Sequence, residues 1–199
     1  MADLTVYPDP NPETTSVDGD TGLSGTQTWA AKHDAADADG VGPSNTPINC
    51  ARLTSSAGSW TNLTRAIFLF DTSALGSGAT ISAATLSLNG TASPTNSHTQ
   101  TLNIYTSAPA TNTDIVVGDY DSYGTVAQSD TSIGFASWAT GYNDFILNAT
   151  GRGNISLTSI TKFGTRGSGD ATNTEPDGSG AEKHSYTGCN MAETADTTS

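Results

Sequence analysis

Residues 64–71 read Thr-Arg-Ala-Ile-Phe-Leu-Phe-Asp, an apolar centre of five residues closed by charge at both ends. The run is too short for a buried helix. Its bulky and β-branched side chains leave no polar face, as expected of a strand covered by protein on both sides. Working outward, Gly76 and Gly78 supply a turn, and residues 81–89 then place Ala84, Leu86 and Leu88 on one face and Thr85 and Ser87 on the other. That alternation of period two is a half-buried strand. Residues 101–106 alternate in the same way, with Leu102 and Ile104 inward and Thr101, Asn103 and Tyr105 outward.

The same pattern continues to both ends. Residues 4–7 read as a starter strand stopped by Pro8, Pro10 and Pro12, which cannot donate ladder hydrogen bonds. Residues 26–32, with Trp29, read as a strand, and residues 34–47 as a surface loop. Residues 49–54 form a further strand, followed by a loop that holds Trp60. Asp114 is expected to cap one helical turn over residues 114–120. Strands are expected at 125–128, 132–138, 142–148, 161–166 and 183–189, with a short turn at 148–156 weakened by two glycines. No window of a dozen residues keeps an apolar stripe at helical spacing, so crossover helices are missing and an α/β fold is disfavoured. The expectation is all-β: a single antiparallel β-sandwich, jelly-roll-like, with long polar loops and at most one or two short helical turns. One domain spans 1–199, with N-terminal strands and an acidic loop over 1–48 and the main body over 49–199.

Against 20 Asp and Glu stand only 7 Lys and Arg, a net charge of -13 over 199 residues. Such a surface repels phosphate backbones and anionic bilayers, so no nucleic-acid or membrane partner is expected. Eight of the acids lie in the first forty residues, most simply a solvated face. Leu, Ile, Val and Phe make up about a sixth of the chain, a disorder flag overruled by their orderly alternation. Thr, about one residue in six, suits the solvent face of strands. The first twenty residues carry no basic start before an apolar run, so no targeting signal is read there. Four sequons, at Asn62, Asn89, Asn148 and Asn154, carry little weight in so Thr-rich a chain. Cys50 and Cys189 match no zinc spacing; they are either a disulfide or two small core residues.

From Arg65 the chain reads Arg-Ala-Ile-Phe-Leu-Phe-Asp-Thr-Ser-Ala-Leu, then a glycine turn, then Ala-Thr-Ile-Ser-Ala-Ala-Thr-Leu-Ser-Leu. This resembles the β-sandwich family called DNRLRE domains, which look like carbohydrate-binding modules, and more closely their relatives among bacteriophage and metagenomic virion proteins. Pro-Ala-Thr-Asn-Thr at 109–113, Asp119-Tyr120, Tyr-Asn-Asp-Phe at 142–145, Asn-Ala-Thr-Gly at 148–151 and Thr-Lys-Phe-Gly at 161–164 resemble it in order and spacing. The resemblance covers most of the chain beyond about residue 50 and implies architecture far more than chemistry. Such domains usually close with a strand of the form Pro-x-Leu-x-Val-x-Tyr. Here the sequence ends at Thr197-Thr198-Ser199, so either it is a fragment or an open sheet edge awaits a strand from a neighbour.

No chemistry is strongly signalled. His33, His98 and His184 stand among small polar residues with no nucleophile elbow and read as surface or loop side chains. The acids are mainly Asp in Gly- and Pro-rich loops, and the sequence places no two of them at a known separation, as a glycosidase pair requires. Asp37-Ala38-Asp39-Gly40 resembles part of a calcium loop, but its first ligand position would be Ala35 and its last Thr46. Asp18-Gly19-Asp20 is shorter still, so solvated turns are favoured and structural calcium stays open. Arg65 reads as structural, paired with an acid such as Asp71 or a strand-end carbonyl. Sugar stacking needs exposed aromatic faces, and the candidates are Trp60, Tyr105, Tyr120 and Tyr123; the competing reading has Trp60 and the loop tyrosines closing the ends of the core. Trp29 and Trp138 read as core. The expected function is a non-enzymatic structural or adhesive protein of a virion surface, a capsid decoration or tail-fibre module, partnered by other virion proteins, by itself, or by surface glycans. The alternatives are a carbohydrate-binding module of a secreted bacterial protein and a polysaccharide-degrading enzyme.

Overall fold

The computed structural model describes residues 3–42, 48–91, 98–177 and 182–192. Ten strands dominate: β1 Asp18–Leu23, β2 Gly40–Gly42, β3 Ile48–Ser56, β4 Ser59–Asp71, β5 Thr85–Gly90, β6 Thr101–Thr106, β7 Ile133–Gly134, β8 Gly141–Ile146, β9 Ile160–Gly167 and β10 Lys183–Cys189. Three short α-helices, α1 Trp29–His33, α2 Ala149–Gly153 and α3 Ser168–Ala171, and three single 3₁₀ turns complete the described elements. Helical turns are thus more numerous than expected, but none exceeds five residues.

Every pairing is antiparallel, in the order β7-β6-β9-β4-β3-β10-β5-β8, with β1 joining β4 to β2. The 13-residue β4 organises this sheet. Arg65 lies opposite Ala51 of β3 and also opposite Thr21 of β1, so those two strands flank it on different sides. Ala66, the next residue, lies opposite Thr165 of β9 and Asp20 of β1. Strand β1 is continuous, so β3 and β9 must meet end to end along the other edge of β4, and the sheet forks there. Thr165 marks the junction, its Oγ1 donating to the Cys50 carbonyl. The sheet nearly closes on itself: Gln128 N donates to Ile104 O of β6, while Ser129 bridges Leu147 at the end of β8. The fold is therefore the expected all-β sandwich, in a nearly closed, barrel-like form.

The apolar centre of β4 is buried on both faces, because the layers it divides are both protein. Ala66 and Phe68 join the main core with Leu53, Leu102, Ile104, Phe135, Phe145 and Phe163, while Ile67 and Leu69 meet Val17 and Ile115 in a second, smaller core. Cys50 and Cys189 are joined as a disulfide between β3 and β10, their Cα atoms 6.4 Å apart.

Several local expectations are corrected. Residues 4–7 form no strand; Leu4 and Tyr7 are 43% and 46% exposed. The first strand is instead Asp-Gly-Asp-Thr-Gly-Leu at β1, whose polar sequence gives no alternation but whose backbone is completed by β4. The expected strand around Trp29 is α1: Ala30, Ala31 and Lys32 favour helix, and Thr28 Oγ1 accepts from Ala31 N at 3.2 Å as an N-cap. Trp29 and Lys32, three apart on α1, are the two residues it buries. Within 34–47 the short β2 interrupts the expected loop, and 43–47 lie outside the described residues. Trp60 sits in β4 and not in a loop, because Ala57 and Gly58, with φ of 43° and 85°, close a two-residue hairpin just before it. The turn expected from Asp114 starts at Val117, with Asp114 Oδ1 bound to the amide of Ile115 instead. Residues 125–128 form no strand, and of 132–138 only β7 is extended before a 3₁₀ turn at Phe135–Ser137. The expectation of a missing closing strand concerns 193–199, outside the described residues.

Candidate binding face

Cross-strand registers carry one row of residues over five strands: Tyr186 of β10 lies opposite Arg52 of β3, Arg52 opposite Thr64 of β4, Thr64 opposite Gly22 of β1, and Gly22 opposite Gly40 of β2. Residues directly opposite share a face of the sheet. A second row, His184, Thr54 and Asn62, runs beside it. Two adjoining depressions follow. Asn49, Arg52, Thr54, His184 and Tyr186 line one of about 320 Å³. The other, of about 200 Å³, is bordered on β1 by Asp20 and Gly22, on β4 by Asn62 and Thr64, and near β2 by Asp39.

The two ends differ electrically. At the β10 end Arg52 is half-buried and its guanidinium has no hydrogen bond or ion pair among the described residues. Thr54 is 4% exposed, and its hydroxyl likewise lacks a partner there. His184 Nε2 lies 3.0 Å from Glu182 Oε1. At the β1 end, burial pushes the Asp20 carboxyl above the ordinary carboxylate range, although Asn49 N donates to its Oδ2 at 3.1 Å. Asp39 accepts from the amide of Ser24 at 2.9 Å and from its hydroxyl at 2.8 Å.

Behind this face lies a buried charge cluster, since Arg65 points to the side of β4 opposite Thr64. Arg65 grips Asp170 through Nε at 2.9 Å and Nη2 at 2.7 Å, and Arg166 donates to the same carboxylate through Nε at 2.8 Å. Remaining guanidinium protons go to the carbonyls of Tyr120, at 2.6 Å, and His33, at 3.1 Å. Burial alone would raise the Asp170 carboxyl, but the two guanidinium groups hold it down at about 2. Arg65 is structural as expected, but its acid is Asp170, delivered by α3, and not Asp71.

The four aromatic candidates do not meet on a surface. Trp60 and Tyr120 are fully buried and Tyr105 is 6% exposed, so none offers a ring to a sugar. Trp60 stacks edge-on against Trp29 at 5.0 Å and donates to Glu175 Oε1 at 2.8 Å. Tyr120 and Tyr123 come together around Arg65, whose Cζ lies 4.2 Å and 5.9 Å from their ring centres. Tyr123 is partly exposed, but its phenol lies 3.5 Å from Thr21 Oγ1. Strand parity misplaced Tyr105 because β6 is covered on both faces. Tyr186, which does border the open face, was missed because its alternates Ser185 and Thr187 are polar yet buried.

The histidines are also redistributed. His98 is 3% exposed, between the hydroxyls of Ser55 and Ser185 at 3.2 Å and 3.0 Å and 5.3 Å from the Trp60 ring. His33 is largely covered, its Nε2 2.9 Å from Asp170 O. Only His184 is exposed as expected. Among the described residues no three His, Cys, Asp or Glu side chains converge as ion ligands. The oxygens of Asp39 and Asp18 instead accept from backbone amides, those of Ser24 and Ala192. No helix among the described residues is long and apolar enough to cross a membrane. No family model, curated protein or solved structure matches the chain.

Proposed function

We propose that this protein is a non-enzymatic structural or adhesive domain of a virion surface, a capsid decoration or tail-fibre module, that holds a glycan on the face crossed by β10, β3, β4, β1 and β2. The row from Tyr186 through Arg52, Thr64 and Gly22 carries this reading, because it sets one aromatic ring beside a line of polar groups on rigid strands. Pyranoses are recognised by that combination of ring stacking and hydrogen bonds to hydroxyls. Five strands about 4.8 Å apart span roughly 19 Å, enough for a short oligosaccharide. The virion setting is supported by the resemblance carried by residues 65–84 and by the acidic, Thr-rich composition.

A glycan array probed with the whole chain tests the binding. Tyr186→Ala is expected to abolish the signal while leaving thermal melting unchanged; an array with no reactive glycan overturns the reading. Immunogold labelling of particles tests the setting, and the expected image has repeated copies on each particle. Partners are other virion proteins or a second copy, which would add a strand along an open sheet edge. Sedimentation that shows only monomer at high concentration removes that partner.

A carbohydrate-binding module of a secreted bacterial protein would use the same face, and neighbouring genes separate it from the virion reading. One observation favours a polysaccharide-degrading enzyme, the raised carboxyl of Asp20 beside Asp39, since a general acid needs such a group. Release of reducing ends from a glycan panel, lost in Asp20→Asn, would replace the binding proposal with that one.

A further inference from the structure

Three of the seven basic residues, Lys32, Arg65 and Arg166, are buried, the two arginines held by Asp170 and Lys32 by the carbonyls of Leu23 and Ser24. The cationic groups left to the surface of a chain of net charge -13 are therefore few. One of them, the Arg52 guanidinium, has no partner among the described residues and borders a depression without any acidic side chain in its lining. This guanidinium, on a central strand beside Asn49, the Tyr186 ring and the Thr54 hydroxyl, which likewise lacks a partner among the described residues, presents a planar fork of donors. A planar carboxylate matches that fork. Two strands away the character reverses, because Asp20 of β1 and, near β2, Asp39 border the second depression.

Resting on the glycan-binding reading above, we infer that the ligand is an oligosaccharide bearing a single carboxylated sugar. Its carboxylate sits on Arg52, and its neutral sugars run toward β1, where their hydroxyls donate to Asp20 and Asp39. A polyanion is disfavoured on two grounds. Repeated charges would fall on the two aspartates, and the net charge of the whole chain would repel the polymer before it docked.

Titration calorimetry on the whole chain provides the test, with lactose against 3′-sialyllactose, cellobiose against cellobiouronic acid, and polygalacturonate as the polyanion. The acidic member of at least one pair is expected to bind about tenfold more tightly than its neutral counterpart, as a charge-assisted bidentate contact provides. The margin should shrink with added salt. Arg52→Gln is expected to erase it with an unchanged melting temperature, and Arg52→Lys, which keeps the charge and loses the fork, to restore it only in part. Equal binding of neutral and acidic members, persistence of the margin in Arg52→Gln, or tighter binding of polygalacturonate than of the end-charged probes overturns this inference while glycan binding stands. No binding of any sugar, here or on the array, removes both.

Discussion

At the residue scale, stability turns on Asp170, a carboxylate 1% exposed that serves two guanidinium groups. Removing one partner from a buried ionic cluster leaves uncompensated charge and costs about 3–5 kcal/mol. Asp170→Asn is therefore expected to lower stability by that order, measured by urea denaturation. The sign with pH follows from the depressed carboxyl. Its contribution is complete above the ordinary value of 3.8 and is lost as pH falls through about 2, so wild type shows an acid limb there that the variant lacks. His98 acts in a higher window. Burial, with Lys183 nearby, pushes its imidazole below the ordinary 6.5, so the folded state resists protonation. Stability is complete above about 6.5 and declines as pH falls below it. Trp60 stacks on this ring, so tryptophan fluorescence should report the change, and His98→Gln should flatten it. Arg65 could be read as structural because a charge beside an apolar strand demands a partner. Its partner could not be read, since Asp170 stands 105 residues away and is brought there by the turn of α3.

At the element scale, close joints decide which strands meet. A Cβ at Gly90 would strike the Ala139 carbonyl and come within 2.8 Å of the Asn143 amide and the Trp138 indole nitrogen. Gly90 is also where β5 touches both β8 and β10. Gly90→Ala is expected to destabilise by about 1–3 kcal/mol through overpacking, with the loss measured in thermal melts. The disulfide tethers the same region: it closes a separation of 139 residues, and its reduction is expected to cost about 2–4 kcal/mol, measured by denaturation with and without reductant. Alternation was legible in β5 and β8 because one side of each meets the core and the other does not; β6 alternates in sequence although both of its faces are covered. It was illegible in β1, where the order comes from pairing with β4, and in α1, where a strand-like aromatic hid the helix formers beside it.

At the scale of the whole molecule, the near-closure of the sheet rests on Gln128 and Ser129, which lie between β6 and the end of β8. Ser129 Oγ donates to Ile146 O at 2.8 Å, so Ser129→Ala is expected to speed amide exchange in β8 while β3 and β4 stay protected. Composition and period by themselves determined the fold class and the double burial of β4, because apolar alternation follows directly from which faces meet water. They also determined the net charge of -13. The tertiary structure alone decided which aromatic rings are exposed, which acid Arg65 takes, and that Tyr186, Arg52, Thr64 and Gly22 share one face. Those relations depend on register between strands far apart in the chain, and a local pattern of side chains carries no record of register.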